Sequence, residues 1–81
     1  MTRDKIQIYG TVWCSDCTRS KRFMDKNNID YNWIDIDEQP QFQKLVRELN
    51  GGSMTVPTIV FPDGSSLSEP SDSELIKKLT V

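Results

Sequence analysis

Ile6 and Ile8 flank Gln7 in the stretch KIQIY, and that alternation predicts a strand over Lys5 to Tyr9. From Ser15 to about Asn27 the composition favours a helix that stops at Asn27-Asn28, with Cys17, Phe23 and Met24 as its apolar candidates. YNWIDI, Tyr31 to Ile36, is rich in aromatic and β-branched residues and reads as a second strand. A second helix starts between Asp37 and Pro40, the proline falling in the first turn, where its missing N–H costs nothing. Phe42, Leu45, Val46 and Leu49 then recur at i, i+3, i+4 and i+7, a stripe expected to face the core. Asn50-Gly51-Gly52 ends that helix, since glycine readily takes the left-handed conformation at a C-terminus.

TIVF, Thr58 to Phe61, predicts a third strand, and PDGS a turn into an edge strand at Ser66 to Ser68. Ser71 followed by Glu74 fits a capping box, with Leu75, Ile76 and Leu79 as the buried stripe of a last helix. The order is β-α-β-α-β-β-α. A helix between the first two strands makes them a βαβ unit, hence parallel, while the later hairpin makes the sheet mixed. Residues 1–81 read as one α/β domain.

Composition narrows the functions open to such a chain. At 81 residues the core is thin, and 36% hydrophobic with 27% charged residues suits a folded, water-exposed protein. A formal net charge of −2 argues against a general nucleic-acid binder, and no apolar run approaches the ~20 residues that span a bilayer. MTRDKIQIYG lacks the apolar core of a signal peptide, so the expected location is the cytoplasm.

In that compartment thiols stay reduced, and a C-x-x-C pair is more often catalytic or metal-binding than a structural staple. TVWCSDCTRSK holds both cysteines, Cys14 and Cys17. As a crosslink they would close a loop too short to restrain the unfolded chain much. As a metal site they lack partners: a tetrahedral zinc or iron–sulfur site wants four ligands, and the chain has two cysteines and no histidine. As a redox pair they are well placed. Cys14 falls where the first strand hands over to the first helix, and unpaired N–H groups with the helix dipole stabilise a thiolate there. Such a thiolate attacks a disulfide sulfur, and Cys17, one turn deeper, can displace the product.

YGTVWCSDC, TVPTIVFPDGS and PSDSE together resemble the glutaredoxins, and NGGSMTVPTIVFPDGSSLSEPS resembles especially their mycoredoxin-type bacterial branch. The resemblance runs from Lys5 to Leu79. It implies the thioredoxin fold, with a four-stranded mixed sheet flanked by helices, and thiol–disulfide oxidoreductase activity. It implies Cys14 as nucleophile and Cys17 as resolving cysteine. It also implies a cis bond between Val56 and Pro57, facing the cysteines and exposing the Val56 backbone to a substrate chain. Ser71 and Asp72 fall where glutaredoxins hold the γ-glutamyl end of glutathione. No tightly bound cofactor or metal is implied; the co-substrate would be a low-molecular-weight thiol such as glutathione or mycothiol. Glutathione-using members commonly carry a lysine before the first cysteine, where this chain has GTVW, and Gly-Gly before the last helix, where it has LSEP. Both departures point toward another small thiol, or a thioredoxin-reductase-type donor.

The expected partners are therefore disulfide-containing proteins and one such reductant, with the chain acting as a monomer and touching neither nucleic acid nor membrane. Two other readings stand beside this one. One is a dedicated electron donor to a reductase such as ribonucleotide reductase; the other is a dimeric metal or iron–sulfur carrier. Trp13, next to the nucleophile, reads as an apolar platform for a partner, or else as packing for its own loop. Arg19, Lys21, Arg22 and Lys26 read as a solvated helix face, or as a surface steering anionic thiols or acidic proteins. Tyr9 and Trp33 read as sheet residues. Asp16 lies between the cysteines, where a first-turn acid complements the helix dipole and can pair with Arg19 at i+3. Its charge also opposes thiolate formation at Cys14, which would make the couple more reducing.

Overall fold

Pairing partners define the sheet. The computed structural model describes residues 5–80; the first residues of the stretch read above for a leader, and residue 81, lie outside it. Strands β1 (Ile6–Gly10) and β2 (Tyr31–Asp35) run parallel, with Ile8 opposite Trp33 and Gly10 opposite Asp35. β3 (Thr58–Val60) lies antiparallel to β1, and β4 (Ser66–Ser68) antiparallel to β3. The order across the sheet is β2-β1-β3-β4, with helices α1 (Ser15–Lys26), α2 (Gln43–Leu49) and α3 (Asp72–Leu79). This is the expected β-α-β-α-β-β-α order and mixed sheet.

Alternation along the strands separates two cores. Ile6 and Ile8 of β1 and Ile59 of β3, with Phe61 just beyond it, point to one face and pack with Phe23 and Met24 of α1 and Leu75 of α3. Tyr9, Ile34 and Ile36 point to the other and pack with Val46 of α2, Phe42 and Val56. Helices thus cover both faces of the sheet. Tyr9 is buried as a sheet residue, its ring 5.7 Å from that of Phe42. Ile8, Met24, Ile59 and Leu75 are fully enclosed, so truncating any one to alanine costs about 2–5 kcal/mol.

The two later apolar stripes are narrower than their periodicity suggests. Leu49 is 38% exposed and Ile76 45% exposed, although both fall at core spacing. α2 has only two turns, so its middle residue Val46 reaches the sheet while Leu49, the last helical residue, stands at the rim. Ile76 instead faces a groove between α3 and α1. The helix expected from Pro40 also begins differently. Pro40–Phe42 form a 3-10 turn closed by the Phe42 N–H on the Gln39 carbonyl at 3.1 Å, and α2 proper follows.

Candidate active site

Cys14 is the N-cap of α1. Its backbone is extended (φ −94°, ψ 117°), and its Sγ accepts the backbone N–H of Cys17 at 3.3 Å. Serine, threonine, aspartate and asparagine usually fill this position because their oxygen satisfies an orphan N–H of the first turn. Here sulfur does so, which directs the first-turn amide and the helix dipole at Cys14 Sγ. The approach from β1 is tight: Cys14 N–H reaches back to the Thr11 carbonyl at 3.4 Å, leaving Val12 and Trp13 on the outside of the loop.

Cys17, one turn on, is fully buried. Burial, reinforced by its hydrogen bond with the Cys14 sulfur, pushes its thiol up to about 12, while the Thr11 backbone N–H and the Lys21 ammonium pull the other way. Cys17 is therefore a neutral thiol at physiological pH, and Cys14 is the half-exposed one. The wall behind Cys17 is Gly10. A Cβ there would stand 2.5 Å from Cys17 Sγ and about 3 Å from the Trp33 ring, so only glycine fits at the end of β1. Trp33 in turn carries the Lys21 ammonium 3.9 Å above its ring. Gly10 and Trp33 were not singled out for the site from sequence. Their role comes from β1 and β2 meeting α1 side-on, which local spacing does not reveal.

The Val56-Pro57 peptide bond is cis, and the Cys14 thiol donates to the Val56 carbonyl at 3.8 Å. Asn50 secures the loop that carries this pair. Its Nδ2 donates to Val46 O at 2.7 Å and Thr58 Oγ1 at 2.9 Å, its Oδ1 accepts from Ser68, and Thr58 Oγ1 donates to Thr55 O at 2.7 Å. The loop after α2 is thereby tied to β3 and β4 while Val56 is held against the thiol.

Trp13 is 73% exposed, so most of its ring faces solvent rather than the loop beneath it. Its indole N–H donates to Asp37 at 2.9 Å, which fixes the ring beside Cys14. Asp37 is a contributor that a separation of 24 residues concealed. Ser71 and Asp72 sit at the start of α3, as expected, and both are engaged within the chain. The Ser71 hydroxyl accepts from Glu74 N–H while Glu74 returns the bond to the Ser71 N–H, completing the capping box. Asp72 holds Arg19 at 2.7 Å, and the same guanidinium reaches the Pro70 carbonyl at 2.9 Å. Asp16 pairs with Arg19 as predicted, but at 3.5 Å against 2.7 Å for Asp72. Arg19 thus binds α1 to α3 and shares its charge between two carboxylates.

Residues 6–66 match the Glutaredoxin family model. The chain belongs to the glutaredoxin family. A Mycobacterium tuberculosis protein named as a glutaredoxin is 42% identical over 74 residues, covering 91% of this chain and 88% of that protein. Mycoredoxin 1 of Corynebacterium glutamicum is 31% identical over 74 residues, covering 91% of each. Among solved structures, the glutaredoxin-like NrdH-redoxin of Escherichia coli superposes with a TM-score of 0.78 at 26% identity, over 94% of this chain and 95% of that one. Its structure is described as the basis of a thioredoxin-like activity profile. Glutaredoxins are in general thiol–disulfide oxidoreductases, and their fold is the one described above. Among the described residues no helix is long and apolar enough to cross a membrane.

Proposed function

We propose that this glutaredoxin reduces disulfides in proteins, or mixed disulfides between proteins and low-molecular-weight thiols, through the Cys14/Cys17 dithiol. The observation that carries the reading is the contrast at the N-terminus of α1: a half-exposed sulfur capping the helix, and a buried neutral thiol one turn behind it. The Cys14 thiolate attacks one sulfur of the substrate disulfide, forming a Cys14 mixed disulfide and releasing the other sulfur as a thiolate. Cys17 then attacks Cys14 Sγ, its proton passing to the departing second thiol. Two electrons have moved, leaving a Cys14–Cys17 disulfide and two substrate thiols. Trp13 offers the partner a flat apolar surface, and the Val56 backbone faces the same edge. A two-electron donor, either a small thiol or a thioredoxin-reductase-type protein, restores the dithiol, and the reducing cytoplasm suits such a cycle.

A specific observation favours a second reading of the electron source. Arg19 already holds one oxygen of Asp72 and the Ser71 hydroxyl already caps α3, so a γ-glutamyl group would have to share Asp72 with Arg19 and compete for the Ser71 hydroxyl. Together with the likeness to NrdH-redoxin, this supports recharging by a thioredoxin-reductase-type donor and service to a dedicated reductase. A turnover assay offering glutathione, mycothiol and thioredoxin reductase in parallel tests both readings. The expected order places glutathione last, and Cys14→Ser should abolish turnover with every donor. Retained activity in Cys14→Ser would contradict the mechanism, and full activity with glutathione alone would contradict the second reading.

A further inference from the structure

The four basic residues of α1 do not act as one face. Lys21 is turned to the Trp33 ring, whereas Arg19, Arg22 and Lys26 line a groove of about 440 Å³ between α1 and α3. Phe23 forms part of its floor and the exposed Ile76 part of its far wall. Among the described residues Asp72 is the one carboxylate lining it, and one of its oxygens is held by Arg19. Asp25, the acid nearest in sequence, lies instead against Tyr31. Arg22 and Lys26 have no ion-pair partner among the described residues, and both are exposed. A chain of net charge −2 therefore carries, on the helix that Cys14 caps, a groove with an apolar edge and two cations that are unpaired among the described residues.

We propose that this groove docks an acidic, partly apolar segment of the protein partner whose disulfide Cys14 attacks, so that Arg22 and Lys26 select substrates by charges flanking the cysteine. This rests on the function proposed above and adds the partner's chemistry to it. Charge complementarity argues for the occupant: carboxylates meet Arg22 and Lys26, and an apolar side chain covers Ile76. Helix geometry sets the spacing. Arg22 and Lys26 follow Cys14 by eight and twelve positions, or about 12 and 18 Å along the axis at ~1.5 Å per residue. An extended segment advances ~3.3 Å per residue, so the selected acids stand roughly four to six positions from the partner's cysteine. Acids adjacent to that cysteine reach neither side chain.

The test uses single-cysteine peptides in mixed disulfide with a small aromatic thiol. Acids are placed four and six positions to either side of the cysteine, or replaced by their amides. At low salt the parent protein should turn over one of the acidic peptides about tenfold faster in kcat/KM than its amide counterpart, through KM, and lose the preference at high salt. In Arg22→Glu/Lys26→Glu the preference should vanish or reverse, with the amide peptides changed less than about twofold. Equal rates for acidic and amide peptides in the parent, or a preference that survives the charge reversal, would overturn the proposal. Binding of serine versions of the peptides to the Cys14→Ser/Cys17→Ser protein reads the groove without redox chemistry. Charge-dependent binding there, with no turnover of any peptide by the parent, would sink the function and leave the groove standing. Equal affinity for acidic and amide serine peptides would sink the groove alone.

Discussion

Cys14 and Cys17 stand one turn apart on the same helix, and their surroundings differ in nearly every respect. Cys14 is at the rim, its sulfur between a helix amide and the Val56 carbonyl, with Trp13 and Val12 exposed beside it. Cys17 is sealed by Gly10 and Trp33, and burial holds its thiol neutral. The difference follows from position on the helix. The cap residue still belongs to the loop leaving β1, while the residue one turn in has rotated onto the face packed against the sheet. A three-residue spacing thus yields one sulfur at the rim and one shielded behind it, the contrast on which the proposed roles of attack and resolution rest.

The most severe way to break this asymmetry is to remove either sulfur. Cys14→Ser should lose turnover by a factor on the order of a thousand or more, while Cys17→Ser should still form a mixed disulfide in one step and then stall. Equal defects in adduct formation would erase the distinction.

Filling the space behind Cys17 comes next. Gly10→Ala places a carbon against Cys17 Sγ and Trp33, both held in the core, and should destabilise the protein by about 1–3 kcal/mol in urea titration. Resolution, read as decay of the mixed disulfide, should slow more than its formation. A variant with parental stability and resolution rate would mean that Gly10 is not what seats the resolving thiol.

A gentler probe is pH. The folded Cys17 thiol ionises near 12 rather than near the ordinary 9.0, so the native state retains a proton that the unfolded chain gives up in between. That contribution is complete below about pH 9 and is lost as pH rises toward 12. Urea midpoints of the reduced protein should therefore fall more steeply above pH 9 than those of Cys17→Ala. Tyr9, also raised by burial, contributes equally to both curves. Parallel curves would contradict a buried neutral thiol.

The smallest effect concerns Asp16. Its carboxylate is half exposed and shares Arg19 with Asp72, so neutralising it as Asp16→Asn should make the couple less reducing by only about 10 mV. A shift toward stronger reduction would reverse the sign proposed for this charge.

What the sequence made legible was local. Strand alternation, the Ser71–Glu74 capping box and the cysteine pair at a strand-to-helix junction depend on neighbours within one or two turns, and each stands in the structure. What it hid was contact between distant elements. Arg19 meets Asp72 across 53 positions, Trp13 meets Asp37 across 24, and Gly10 matters only because α1 and β2 converge on it. Leu49 and Ile76 show the same limit from the other side. Periodicity placed them on core faces, but a two-turn helix and an open groove left both at the surface.

The central claim is that attack belongs to Cys14 and resolution to Cys17. Its most direct test is to mix Cys17→Ser, and separately Cys14→Ser, with a disulfide-bearing peptide and map the trapped adduct by mass spectrometry of digested protein. The account predicts a stoichiometric adduct on Cys14 in the first variant and almost none on Cys17 in the second. An adduct forming as fast on Cys17 would contradict it.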